Sequence, residues 1–554
     1  MTSCDAGQLS EEFDFIVVGG GSAGCAAANR LVTRHGATVL LLEAGPDKQS
    51  PLAVIPAGTV KMWRGQTGYV GRFHSEPQTG LDGRIVPLEH GSVLGGGSSI
   101  NMMAYMRGSR DDYAGWSEAA GAGWGWEDLL PYFREQEGNQ RFDNESHGGD
   151  GPLKVSSPVY RSELSHRFAR AMQRMGVPFR ADLTDGYLGG VGYSQCTIDG
   201  VKRSSAVEAF IDPIRRDNRL RLVTRAFVTR INFQGRAAIG VDYLVDGALR
   251  RATARQEVVL TAGAYVTPKL LMLSGIGEAS ALETLGIPVL ADRPGVGRNL
   301  QDHHYSVVSA PAPAGSGFYA QDRGFAMIVN GLRYLLFKDG PAAVSGSESM
   351  AFLPFEPSSG EVEFQLYCMA LMHPTVPAEL QTHGLTLLVN LLAPRARGTI
   401  SLQSADPADT PMIDLGWLVD EEDRQAMLRA FRYARRVLAQ PPLSDVLGEE
   451  VWPGVKVQSD DDLLAHIRKT LVSNHHPGGT CRMGRPEAPD SVVDARLRVL
   501  GVDRLRVMDA SMMPVLIRAG TNATAMAVAA RGVDLMMAEV ANRSPTETFT
   551  IHAN

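Results

Sequence analysis

The chain has 554 residues and a mass of 59.7 kDa, enough for several domains or for fewer large ones. Hydrophobic residues make up 44% and charged residues 21%, ordinary globular values that exclude a disordered chain, a coiled coil and a collagen-like repeat. A net charge of −7, with no basic run interleaved with aromatics, argues against nucleic acid as a partner.

No stretch approaches the roughly 18 consecutive apolar residues of a membrane span, and Met1 to Glu12 carries neither a basic nor an apolar leader region. The expected location is the cytoplasm. Five cysteines (Cys4, Cys25, Cys196, Cys368, Cys481) are scattered without CxxC spacing, so neither a disulfide framework nor a zinc site is indicated and all should be reduced and buried. Glycine, at 59 residues, exceeds the usual share of about 7%, which points to positional use.

Phe13 to Val18 is an apolar run suited to a strand buried on both faces, and it leads directly into Gly19-Gly20-Gly21-Ser22-Ala23-Gly24. This is GxGxxG. The small residues Cys25 to Leu31 predict a helix that Gly36 can end, and Ala37 to Leu42 predicts a second strand reaching Glu43. In such a βαβ unit Gly19 permits the turn, Gly21 admits a pyrophosphate, and Gly24 lets helix and strand approach. Glu43, about twenty residues on, stands where an acid accepts hydrogen bonds from a ribose diol. Residues Gly20 to Gly24 also spell GxSxG, so a second reading is a serine hydrolase with Ser22 as nucleophile and a later histidine as base.

A second glycine loop, His90 to Asn101, suits either backbone passing close to a flat ligand or an ordinary buried bend. Val258 to Ala262 predicts another buried strand, followed by a helix that Thr267 can cap and Pro268 can start. Val362, Phe364 and Leu366 alternate with Glu361, Glu363 and Gln365, and Leu385 to Val389 and Thr399 to Leu402 are further strands. Together they predict an antiparallel sheet with one covered face. Met427 to Leu438 and a helix capped by Ser459 carry apolar core stripes. Leu505 to Asp509 predicts a strand and Met526 to Met537 a helix. The last stretch of chain would then complete the nucleotide fold begun at residue 13, with the antiparallel region inserted.

These pieces, with Gly295 to His303, His476 to Gly484 and Val507 to Ser511, resemble the glucose-methanol-choline oxidoreductases, most closely the bacterial alcohol and choline dehydrogenase branch. The resemblance spans nearly the whole chain. It implies an α/β fold, α+β overall, in which a Rossmann-type FAD-binding domain (1–155, 200–305 and 475–545) carries an inserted substrate domain of antiparallel sheet and helices (156–199 and 306–474). It also implies cofactor contacts at Gly19, Gly21, Ser22, Ala23, Gly24, Glu43 and Ala44 in the first motif, and at Val93, Gly96, Asn101, Met102, Met103 and Ala104 in the second loop. The backbone of Val228 would meet adenine, and Asp509, Ala510, Asn522 and Ala523 the ribityl, pyrophosphate and flavin parts.

Some members bond the flavin covalently to a histidine of the second loop. Ile100 stands there in this chain, so the resemblance predicts dissociable FAD. Alcohol oxidation needs a base near the hydroxyl, and His476 matches the family's catalytic histidine, while His475 suits packing. The second polar partner usual in the family falls at Gly520. Asn522, a water or the inserted domain would have to serve instead, and the glycine leaves room for a substrate bulkier than choline or methanol. Oxidation of an alcohol to an aldehyde or ketone is expected, with O₂, a quinone or a protein carrier as electron acceptor. A lyase of the hydroxynitrile type is the alternative on the same fold.

Overall fold

In the computed structural model, residues 11–65, 67–356 and 360–542 are described. Cys4 and residues 1–10 of the leader reading lie outside them, as do 543–545 of the expected domain bounds. The apolar run after Phe13 forms the inner part of β1 (Glu11–Val18), with Phe15 to Val18 all buried. Next come α1 (Ser22–His35), which ends at Gly36 in the left-handed region, and β2 (Val39–Glu43). The short α2 (Gly97–Ile100) closes the second glycine loop, and β3 (Gly190–Tyr193) follows. Four consecutive strands, β4 (Leu220–Thr224), β5 (Ala226–Gln234), β6 (Ala237–Val245) and β7 (Ala248–Leu260), lead into α3 (Val266–Leu273). The middle of the chain carries β8 (His304–Pro311), α4 (Gly324–Phe337), β9 (Ser349–Leu353), β10 (Phe364–Met369) and β11 (Gly384–Leu391). Beyond α5 (Glu421–Leu438) and α6 (Asp460–Thr470) lie β12 (Val472–Ser473), β13 (Leu505–Val507) and α7 (Asn522–Val540).

Two sheets organise these elements. The first runs β4-β2-β1-β7, with β13 on the far side of β7, and all these neighbours are parallel. The other half of the long β7 pairs antiparallel with the β5–β6 hairpin. The last strand and helix thus return to the first, joining the nucleotide fold across the whole chain. Arg30 on α1 holds Asp534 on α7 through two hydrogen bonds of 2.6 Å, while the alanine-rich faces of these helices allow close packing. Arg506 on β13 is fully buried against Glu257 of β7.

The second sheet, β12-β8-β11-β10-β9-β3, is antiparallel throughout. Its predicted single covered face is corrected by the structure: β9 and β11 are buried at every position, and β8 at all but Pro311. The polar members of the alternating pattern have interior uses. Gln365 is buried and donates to Met350 Sδ, and Glu363, just before β10, accepts the Phe355 N–H. The cap expected at Thr267 is also corrected. α3 begins at Val266, and the Thr267 hydroxyl donates instead to Asp509, which stands at the end of β13 and also takes the Gly263 N–H. Ser459 caps α6 as expected. Cys25, Cys196, Cys368 and Cys481 are free and buried.

Because both faces of β11 are covered, Leu387→Ala and Leu388→Ala should each destabilise the protein by about 2–5 kcal/mol in denaturant unfolding. A change within about 0.5 kcal/mol for either one would show that its face of the sheet is open to solvent.

Candidate active site

The two glycine loops are built against each other. A Cβ on Gly24 would lie 1.9 Å from the Gly19 carbonyl oxygen, so only glycine lets α1 start this close to β1. Gly96, at φ +51°, lies so near Gly21 that a Cβ would stand 2.9 Å from the Gly21 Cα, and the Gly95 N–H donates to Gly20 O at 2.7 Å. On its other side Gly21 is open, since a Cβ there meets only Thr261 O, at 4.0 Å. No side chain caps α1, so the N–H groups of Ser22, Ala23 and Gly24 find no acceptor within the helix. An uncapped helix start beside an open glycine is the donor set that a diphosphate needs, and in that respect the groove fits FAD.

Glu43 is buried below this turn. Its Oε2 accepts the Gly20 N–H at 2.8 Å and its Oε1 the Gly45 N–H at 2.7 Å, which leaves each oxygen a further lone pair. Burial pushes its carboxyl up to about 7, and the two amide bonds oppose that shift. Ala44 follows at the end of β2. Val228 lies on β5, three residues beyond Arg225, whose N–H donates to Gly45 O.

Ser22 Oγ donates to Asn522 Oδ1 at 2.7 Å, which brings the starts of α1 and α7 together. This corrects the hydrolase reading, because the hydroxyl is committed to an amide rather than to an imidazole. It also turns the Asn522 side chain toward the first loop. Ala523 is buried in the first turn of α7. At the end of β13, Asp509 accepts from Gly263, Thr267 and Ser511, so its carboxylate braces the loop, and Ala510 opens the next turn.

The second loop is held by a residue that sequence reasoning missed. Arg203, fully buried, donates to the carbonyls of Ala53, Ser98 and Asn101, to Asn101 Oδ1 and to the Thr59 hydroxyl. Burial holds its guanidinium down to about 10. Asn101 Oδ1 also accepts the Met103 N–H, and Met103 adopts φ +61°. The Met103 side chain packs with Cys196 and Ile198, Met102 is half-buried, and Ala104 bridges to Cys196. Val93 and Ile100 belong to a small core with Ala53, Met62 and Tyr69, over which Trp63 donates to Ile100 O.

His476 stands where the two sheets meet. Its N–H donates to Asp302 Oδ1 at 2.9 Å, and Ser473 Oγ donates to Asp302 Oδ2. Its Nδ1 lies 3.0 Å from His303 Nδ1, and His303 Nε2 lies 3.2 Å from the Leu392 carbonyl oxygen. A carbonyl only accepts, so the network assigns the proton of His303 to Nε2 and leaves its Nδ1 bare. His476 must then donate from Nδ1. The Nε2 lone pair of His476 is therefore free, and it faces Gly520, where a Cβ would stand 3.4 Å away. Burial, with His303 and His475 adding to it, holds His476 well below the ordinary imidazole value. Burial likewise takes His303 down to about 4 and Asp302 up to about 7. His475 packs against Trp63, with ring centroids 4.5 Å apart.

Asp302 and His303 were visible in the sequence only as the end of the Gly295 to His303 motif. Nothing local to either residue signals a contact with position 476.

Comparison with known proteins agrees with this architecture. Residues 13–305 match the N-terminal and residues 394–529 the C-terminal part of the GMC oxidoreductase family. Mitochondrial choline dehydrogenase of Homo sapiens is 35% identical over 96% of this chain and 91% of its own length. Alcohol dehydrogenase (acceptor) of Pseudomonas putida is 36% identical over 95% of this chain and 96% of its own length. Among solved structures, pyridoxine 4-oxidase from Mesorbium loti superposes with a TM-score of 0.85 at 30% identity, covering 96% and 99% of the two chains. A formate oxidase of Aspergillus oryzae gives 0.89 at 27%, covering 97% and 100%. The chain belongs to the GMC oxidoreductase family and is an FAD-dependent enzyme acting on CH–OH groups.

Proposed function

We propose that this enzyme oxidises an alcohol to an aldehyde or ketone with His476 Nε2 as the base, and that it holds FAD without a covalent bond. The observation that carries the reading is the free Nε2 lone pair, left by the chain of assignments from Leu392 O through His303 to His476. A hydroxyl within reach of Nε2 gives up its proton there, while Nδ1–H stays on His303. FAD, when bound, supplies the two-electron acceptor for the hydride that leaves the alcohol carbon. Ile100 offers no nucleophilic atom at the position where some relatives tether the flavin.

The contacts proposed for the diphosphate and adenosine are Gly19, Gly21, Ser22, Ala23, Gly24, Glu43, Ala44 and the Val228 backbone. Those proposed for the flavin end are Val93, Gly96, Asn101, Met102, Met103, Ala104, Asp509, Ala510, Asn522 and Ala523. The proposed division is a discontinuous FAD-binding domain around the parallel sheet and a substrate domain around the antiparallel one, with the bounds given above. His303 holds the base from the other side, at Nδ1, while Gly520 stands at Nε2, so Asn522, a water or the substrate domain is proposed to orient the alcohol there. Gly520 leaves space at Nε2, so the proposed substrate is bulkier than choline or methanol, and turnover of short-chain alcohols alone would contradict this. Electrons then pass to O₂, a quinone or a protein carrier, and the proposed location is cytoplasmic.

Replacing His476 by Ala should leave the protein yellow and slow anaerobic flavin reduction by an alcohol about 10²-fold or more. An unchanged rate removes His476 from the chemistry. In the native enzyme the acid limb of that rate should lie well below pH 6.5, the ordinary imidazole value, because protonated His476 cannot accept a proton and the site disfavours that form. His303→Ala should slow the reaction and move the limb upward, since His303 is one cause of the depression. A limb that stays put would show that His303 only fills space. Finally, a Cβ at Gly21 meets only Thr261 O, at 4.0 Å, and points into the proposed diphosphate groove. Gly21→Leu should therefore purify colourless, and full flavin content would refute the groove assignment.

A further inference from the structure

The antiparallel sheet turns one face toward α5 and α6 and the other toward the base. Phe364 of β10 meets Tyr433 of α5 edge-on, and the Ser306 hydroxyl of β8 bonds that of Thr470 on α6. Side chains alternate along a strand, so the neighbours of these residues point the other way, to the side where His303 meets His476. The register sets Tyr305 of β8, Asn390 of β11 and Gln365 of β10 side by side on that inner face, with Val307, Leu388 and Tyr367 in the next row. None of the six is charged. Glu89, the charge that acts on Tyr305, is itself paired with Arg72 at 3.1 Å.

Asn390 is the anomaly in its row. The side chain is fully buried, yet neither its nitrogen nor its oxygen has a hydrogen-bond partner among the described residues. The residues on either side are engaged elsewhere, Tyr305 with His373 Nε2 and Gln365 with Met350 Sδ. Leaving a buried amide unpaired is costly, and such a group calls for a ligand or a water to complete it. It also lies near the base. One strand across and two residues along from His303 is about 8 Å between Cα atoms, at roughly 4.8 Å per strand and 3.4 Å per residue. Tyr367 shows that the inner face borders a cavity: burial pushes its phenol up to about 12, yet the residue keeps accessible surface, as His476 does. A side chain removed from bulk water that is still accessible lines an enclosed space.

We propose that Asn390 is a specificity-determining residue, and that the alcohol oxidised here carries a second, neutral polar group able both to give and to accept a hydrogen bond, such as a hydroxyl or an amide. This names the substrate class of the oxidation proposed above and rests on that reading. The Asn390 amide offers donors and an acceptor together, so a partner that does both satisfies it, whereas a quaternary ammonium has no hydrogen to give and meets no carboxylate in these rows. A hydrocarbon end in the same place would leave the amide unpaired, and that loss is what selects.

The test separates recognition from chemistry. Calorimetry on the holoenzyme compares primary amides of about five to eight carbons with the methyl ketones one carbon longer, which match them in shape but have no N–H; neither carries an alcohol carbon. Native protein should bind the best amide at least about tenfold more tightly than its ketone, and Asn390→Leu should bring the pair within about twofold. Anaerobic flavin reduction should show the same preference, in KM, for an α,ω-diol over the 1-alkanol one carbon longer, and lose it in Asn390→Leu. The variant should unfold at no lower denaturant concentration than native protein, because leucine leaves no polar group unpaired. Should Asn390→Leu fail to fold, the smaller Asn390→Val carries the same comparison. Native protein that binds amide and ketone equally, or binds neither, overturns the proposal, and so does choline reducing the flavin faster than every diol. A variant that keeps the amide preference overturns it too, because Asn390 then serves only the frame of the sheet. If the amides bind as expected but no alcohol reduces the flavin, the oxidation reading fails while the recognition by Asn390 stands.

Discussion

Asp302 is the point on which the site depends. Its buried carboxylate takes the backbone N–H of His476 from one side and the hydroxyl of Ser473 from the other, tying the strand pair β8–β12 to the loop that carries the proposed base. Removal from water favours the neutral acid, and three hydrogen bonds to the carboxylate, including one from the His303 backbone, work in the other direction. The clasp has no slack. Its next residue, His303, continues the network outward to a main-chain carbonyl, so the tautomer of the His476 imidazole is set through His303 by the Leu392 carbonyl.

This arrangement separates two tasks that one carboxylate often performs in acid-base sites. Asp302 fixes position, and His303 fixes the tautomer. Asp302 meets the backbone of His476 and not its ring, and burial, with His303 and His475 adding to it, disfavours the protonated imidazole. A base kept neutral at physiological pH is poised to receive a proton, as removal of an alcohol hydrogen requires. Gly520 leaves the receiving nitrogen uncovered, and the convergence of the starts of α1 and α7 at the Ser22–Asn522 hydrogen bond directs two positive helix ends at the neighbouring groove.

Much of this was readable from residue order. The β1–α1–β2 unit announced itself because a doubly buried strand, a glycine turn and a helix of small residues are each locally determined, and Gly24 meets the strict steric demand the spacing implied. The antiparallel sheet was readable as strands but not as a buried layer. Alternation shows that two faces differ, yet cannot show that the polar face is also covered, as it is at Gln365. His476 was singled out only through resemblance, because a histidine among prolines and glycines carries no local sign of chemistry. His303, Asp302 and Arg203 escaped altogether as working residues. Their partners lie 89 or more positions away, on elements brought together only by the completed fold.

The account can be checked at its centre by recording ¹⁵N spectra of the holoenzyme labelled at histidine, at neutral pH. The network predicts that His476 carries its proton on Nδ1 and shows an unprotonated Nε2, with the reverse at His303. A His476 protonated at Nε2, or on both nitrogens, would contradict it.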